Sequence, residues 1–116
     1  DNKTTLNDLK TDVQAFCENK RDQFHDALRL AAFSSTEANE LLDLFRHVQD
    51  DEMDEAVANQ HEEVKGELGD ILFILVRFAQ FHDIDLAEPL EDKIEANKEA
   101  YPVDQVKGSN KPKGEL

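Results

Sequence analysis

The chain has 116 residues and a formal net charge of −14, with 27 acidic residues against 13 lysines and arginines. That length makes one domain with a modest core, and the charge excludes nucleic acid or an anionic membrane as a direct partner, because nothing neutralises a phosphate backbone. Cys17 is the one cysteine, which excludes a disulfide framework and a cysteine-rich zinc site. No apolar run approaches the roughly 20 residues of a membrane span, and no basic segment followed by an apolar one is visible as a signal peptide. A cytoplasmic protein is therefore expected.

Thr5 and Asp8 have capping-box spacing, and Leu6, Leu9, Val13, Phe16 and Cys17 follow at helical period, which predicts a first helix over 6–23. Cys17 lies in that stripe as ordinary packing. The apolar register changes through Phe24, His25 and Asp26. A second helix over 27–48 is predicted to bury Leu28, Ala31, Ala38, Leu42 and Phe45, with Leu30, Phe33, Leu41 and Leu44 on the adjoining face. From Gln49 to Glu55 only Met53 is apolar, so this stretch reads as a loop.

Val57, Val64, Leu68, Ile71, Leu72, Leu75, Val76 and Ala79 mark a long third helix ending near Asp83. Its second half, 71–81, is apolar almost all round apart from Arg77 and Gln80, which implies a central position or a subunit interface. Asp85 and Glu88 have the spacing of a second capping box, with Pro89 still in the first turn. Leu86, Leu90 and Ile94 then carry a fourth helix to about Ala100, where Tyr101-Pro102 stops it. Gly108, Ser109, Asn110, Pro112 and Gly114 mark residues 104–116 as a flexible tail. The expected fold class is all-α, with one helical domain over residues 1–103.

Two short stretches carry the chemistry. Glu37 and Glu40, and again Glu67 and Asp70, are three residues apart on predicted helices, so each pair shares a helix face. Glu37 lies one heptad from both Leu30 and Leu44, near the apolar side, and Asp70 stands at the entrance to the apolar half of the third helix. An unpaired carboxylate there costs several kcal/mol. By contrast Glu52, Asp54, Glu62 and Glu63 sit in polar surroundings and read as solvated surface. Four carboxylates facing one cleft cannot all stay ionised without a cation. Oxygen-only ligation points to Mg²⁺, with Mn²⁺ as a possible substitute, rather than zinc.

Lys93, Asn97 and Tyr101, at i, i+4 and i+8, would offer an ammonium, an amide and a hydroxyl from one face of the fourth helix. Read from the residues alone, the same three are more simply a surface lysine, a weak helix former and a core plug. His25, His47, His61 and His82 have neither ExxH nor HxxxH spacing, which argues against a di-iron carboxylate site and a zinc hydrolase. There is no glycine-rich phosphate loop.

The ordered set Glu37-x-x-Glu40, Glu67-x-x-Asp70, Ile84-Asp85-Leu86 and Lys93-x-x-x-Asn97-x-x-x-Tyr101-Pro102 resembles the MazG-like all-α nucleoside triphosphate pyrophosphohydrolases. Arg21-Asp22 and Phe24-His25 match that family's pattern before its first acidic helix, and the resemblance covers roughly residues 16 to 103. It implies a four-helix MazG-like bundle completed by oligomerisation, as a homodimer or homotetramer. It further implies Mg²⁺-dependent hydrolysis of (deoxy)nucleoside triphosphates to the monophosphate and pyrophosphate, in nucleotide-pool house-cleaning.

Carried over by position, the resemblance makes Glu37, Glu40, Glu67 and Asp70 the metal ligands, and Lys93, Asn97 and Tyr101 the phosphate contacts. Glu40 is the expected general base, from its inner-face position, with Glu37 beside it as the second catalytic carboxylate. Family members commonly carry tryptophan after Arg-Asp and after the Leu-Phe that closes the acidic helix. Here the first is missing in Arg21-Asp22-Gln23-Phe24, His47 stands at the second, and Ile74 occupies a position often held by tyrosine. Phe24, His25 and His47 are the candidate base contacts. Two other readings stay open: a phosphoribosyl-ATP pyrophosphohydrolase, and a non-catalytic acidic bundle that binds a protein.

Overall fold

A computed structural model of the chain describes residues 1–18 and 24–103. Among these residues every regular element is helical: α1 (Leu6–Cys17), α2 (Ala27–Asp43), a 3₁₀ turn (Asp50–Glu52), α3 (Met53–Asn59), α4 (His61–Phe81) and α5 (Ala87–Ala100). The all-α expectation holds. Contacts divide the chain into two units, Asp1–Ile84 and Asp85–Leu116. The expected tail, 104–116, and Arg21-Asp22 lie outside the described residues.

In the first unit α4 is the central element, packed against both α1 and α2. The Thr5 hydroxyl accepts from the Asp8 N–H and the Asp8 carboxylate from the Thr5 N–H, so the predicted capping box starts α1. Asp26 caps α2, its carboxylate accepting from the Arg29 N–H at 3.1 Å. The Asp26 cap falls where the apolar register changes.

Which face of α2 is buried differs from expectation. Leu30 is fully buried, and Phe33, Glu37, Leu41 and Leu44 are half-buried, whereas Leu28 and Leu42 are 79% and 52% exposed. The heptad-spaced stripe through Leu30, Glu37 and Leu44 faces α4, and the stripe predicted to be buried faces outward. Both stripes are apolar, so periodicity alone could not rank them. Beyond Asp43 the helix tightens into i→i−3 bonds, Leu44 N–H to Leu41 and Phe45 N–H to Leu42, and ends five residues earlier than predicted.

The predicted loop at 49–55 is instead a 3₁₀ turn running into α3. Asp50, Asp51, Glu52, Asp54 and Glu55 crowd its start, where the unsatisfied N–H groups of a helix favour negative charge. The long third helix is broken at Gln60. Its backbone leaves helical geometry, and its side-chain amide donates to Leu44 O at 3.0 Å, tying the end of α2 to the bend.

Helix α4 ends in a Schellman motif: Ile84 N–H donates to Ala79 O at 2.8 Å, Asp83 N–H to Gln80 O, and Asp83 adopts φ 56°. The Lys10 ammonium donates to Ile84 O, linking α1 to this terminus. Among the described residues, Cys17, Leu30, Ile74, Val76 and Ala79 are the buried apolar side chains. On the opposite side of α4, Leu68, Leu72 and Leu75 stay 52%, 44% and 47% exposed. So α4 is central on one side only, and its second apolar side is uncovered in the single chain.

The second unit contains α5. Its start is not the predicted capping box. Leu86 is the N-cap, and the Asp85 carboxylate accepts from the Ala87 N–H at 2.9 Å, an Asx turn two residues on. Leu90 and Ile94 are exposed on this helix.

Candidate metal centre

Helices α2 and α4 each contribute one turn to the centre. Glu37 and Glu40 come from α2, Glu67 and Asp70 from α4, and one carboxylate oxygen from each lies within 4.8 Å of all the others. The stripe that buries Leu30 and Leu44 carries Glu37 inward, and the stripe that leads to Ile74 carries Glu67 and Asp70 to the same place. Glu37 and Glu67 are half-buried, while Glu40 and Asp70 are exposed. The inner member of the first pair is therefore Glu37 and not Glu40.

Two oxygens, Glu37 Oε2 and Glu67 Oε2, are buried without a hydrogen-bond partner. Burial pushes the Glu37 carboxyl up to about 7, helped by a hydrogen bond with Glu40 and by repulsion from Glu40, Asp70 and Glu67. Glu67 is raised as well, again first by burial, then by a hydrogen bond with Glu40 and the charges of Glu40 and Asp70. Like charges are thus held together with acceptor capacity unused. An all-oxygen donor set with orphaned buried oxygens fits a hard divalent cation.

Against this cluster lies an open cavity of about 330 Å³ lined by Phe24, Phe33, Glu37, Asp70, Phe73 and Ile74. Phe24 packs edge-on against Phe73 with ring centroids 5.6 Å apart, and Phe16 closes on both at 6.3 and 5.8 Å. The structure therefore places Phe24, one of the predicted base contacts, beside two of the carboxylates. His25 lies elsewhere, stacked on Phe81 at 5.3 Å and bonded through Nδ1 to Arg77. His47 is exposed in the turn after α2.

In the second unit Lys93 and Asn97 are one turn apart on α5, both exposed. Tyr101 has left the helix: it is the C-cap, its N–H donating to Asn97 O at 2.8 Å.

Phe33 and Phe73 escaped prediction, and Ile74 was named only as standing where the family often has tyrosine. The available signal was spacing, since Phe33 stands four residues before Glu37, and Phe73 and Ile74 three and four after Asp70. Arg77, seen in the sequence as a polar interruption, is 3% exposed.

Fold and centre together define an all-helical protein in which two packed helices each turn a carboxylate pair to one point. The chain belongs to the MazG-like family, whose model matches residues 33–116. Among solved structures it is similar to a pyrophosphatase from Archaeoglobus fulgidus DSM 4304, with 28% identity, a TM-score of 0.68, and coverage of 84% of this chain and 89% of that one. Among curated protein sequences there is no match. No helix among the described residues is long and apolar enough to cross a membrane.

Proposed function

We propose that this chain is a nucleoside triphosphate pyrophosphohydrolase that uses Mg²⁺, or Mn²⁺ in its place, to release the nucleoside monophosphate and pyrophosphate. The carrying observation is the four-carboxylate cluster with its two orphaned oxygens. The likeness to a protein described as a pyrophosphatase supports the reaction class, and the aromatic cavity beside Glu37 and Asp70 supports a substrate with a planar ring. Glu37, Glu40, Glu67 and Asp70 would hold the metal. Bound there, the ion supplies screening of the triphosphate charge, polarisation of the scissile phosphoryl group and a lowered pKa for the attacking water.

The chain's own residues supply the rest. Of the two carboxylates open to solvent, Glu40 is the one hydrogen-bonded to both inner glutamates, which suits it to accept the water's proton as the new P–O bond forms and the anhydride bond breaks. Phe24, Phe33 and Phe73 form an apolar wall on which a base can stack. Lys93, Asn97 and Tyr101 are proposed as phosphate contacts on the resemblance of their spacing alone. The exposed leucines of α4, with Leu28 and Leu42 of α2, support a homodimer or homotetramer, which light scattering after gel filtration tests directly.

The function is tested by pyrophosphate release from a panel of deoxy- and ribonucleoside triphosphates, with Mg²⁺ or EDTA, beside Glu40→Gln. Release that requires Mg²⁺ and is lost in the variant is expected. No release from any of the panel by folded protein with metal present would reject the reading and direct attention to phosphoribosyl-ATP.

A further inference from the structure

The segment between α1 and α2 supplies one wall of the cavity through Phe24, and the backbone there is held by a residue two turns beyond Asp70. Arg77 Nε donates to Phe24 O at 2.6 Å, Nη1 to Gln80 Oε1 and Nη2 to His25 Nδ1. Its Cζ lies 4.8 Å from the centre of the Phe81 ring, and His25 stacks on that same ring at 15°. Since a guanidinium only donates, His25 takes its bond with the Nδ1 lone pair and carries its proton on Nε2. Each arm of the fork is thereby committed to a protein acceptor, and the side chain is 3% exposed. Arg77 is not available to a phosphate group.

The fork grips consecutive residues, the carbonyl of Phe24 and the ring of His25, and so fixes the direction in which the Phe24 side chain leaves the backbone. That side chain lines the cavity together with Phe33, Glu37, Asp70 and Phe73, packing edge-on against Phe73. Asp70, Ile74 and Arg77 share one face of α4 at i, i+4 and i+7. One rigid helix therefore carries both a ligand of the candidate metal centre and the anchor of the aromatic wall. Distance between base and phosphate chain is thereby tied to helix geometry.

We infer that Arg77 is a positioning residue for base recognition: by clamping Phe24 and His25 to α4 it sets the ring on which the nucleobase stacks, and it takes no part in the phosphate chemistry. The inference rests on the nucleotide reading above. Lysine at this position could reach the Phe24 carbonyl with one donor but cannot form the fork.

The test compares wild type, Arg77→Gln and Arg77→Lys, each also in a Phe24→Ala background, with the four common deoxynucleoside triphosphates as substrates. Inorganic triphosphate serves as a competitor without a base. In Arg77→Gln, KM should rise about tenfold, the size of one lost base–aromatic stack, with kcat within threefold and the Ki of inorganic triphosphate unchanged. Arg77→Lys should fall between, and remains the measurement if Arg77→Gln does not fold. In the Phe24→Ala background the Arg77 substitutions should add little, because the ring they orient is gone. An unchanged KM, a parallel rise in the Ki of inorganic triphosphate, or full additivity with Phe24→Ala would overturn the inference while leaving the enzyme reading intact. A wild-type protein that turns over no nucleotide would remove both.

Discussion

Two regions of α4, seven residues apart, bury charge in opposite ways. At Glu67 and Asp70 the helix meets Glu37 and Glu40, and like charges stand together with two buried oxygens unpartnered. At Arg77 a cation is more deeply buried, yet a carbonyl, an amide, an imidazole and an aromatic ring meet it. The second arrangement is complete within the protein and stabilises it. The first is incomplete within the protein, and under the proposed function a cation would complete it. An unsatisfied buried group marks a place where a ligand belongs more sharply than an acidic composition does.

The comparison breaks most visibly if the acidic residues are neutralised. Glu67→Gln and Glu37→Gln should each lower kcat/KM for triphosphate hydrolysis by ~10³-fold, on the scale of losing one group that stabilises developing charge, as read by pyrophosphate release. Next in size, Mg²⁺ at a hundred times its Kd should stabilise the wild type by about 2.7 kcal/mol, measured from urea midpoints. Arg77→Met should instead destabilise the protein whether or not metal is present, by roughly 2 kcal/mol, because buried acceptors lose their donor.

The acidic cluster also sets a pH dependence of definite sign. Glu37 is raised from 4.5 to about 7 in the fold, so the native state holds a proton that the unfolded chain releases. Its contribution to stability is present below about 4.5 and is lost as pH rises through about 7. In EDTA, the stability difference between wild type and Glu37→Gln should therefore move against the wild type over that window. Stabilisation by Mg²⁺ should grow over the same range, since a ligating carboxylate must be deprotonated. Smallest of all, Gly69→Ala should stabilise α4 by about 1 kcal/mol, because a Cβ there meets nothing within 4 Å. A loss instead would mean that another surface covers this face of α4.

Much of this was legible in the sequence. The carboxylate pairs stood out because Glu37 breaks an apolar heptad between Leu30 and Leu44, and the structure brings all four acids together. Thr5 and Asp8 marked the start of α1 correctly, since a cap is a local hydrogen bond. Less legible were features settled by distant partners. Gln60 breaks the third helix through a bond to Leu44 O, sixteen residues back. The buried face of α2 was decided by what α4 presents, not by the pattern of α2. Arg77 read only as a polar interruption of an apolar run, because its partners Phe24 and His25 lie more than fifty positions away. Asp85 was drawn into an Asx turn in place of the capping box its spacing allowed.

The most direct test of a cation-binding centre is the thermal midpoint of wild type and Glu67→Gln at pH 8, in EDTA and across a Mg²⁺ titration. The wild type should melt lower than the variant in EDTA and climb saturably with Mg²⁺, while the variant responds little. A wild-type midpoint indifferent to both Mg²⁺ and Mn²⁺, with a variant no more stable than the wild type in EDTA, would contradict the account: the four carboxylates would then be a solvated acidic face.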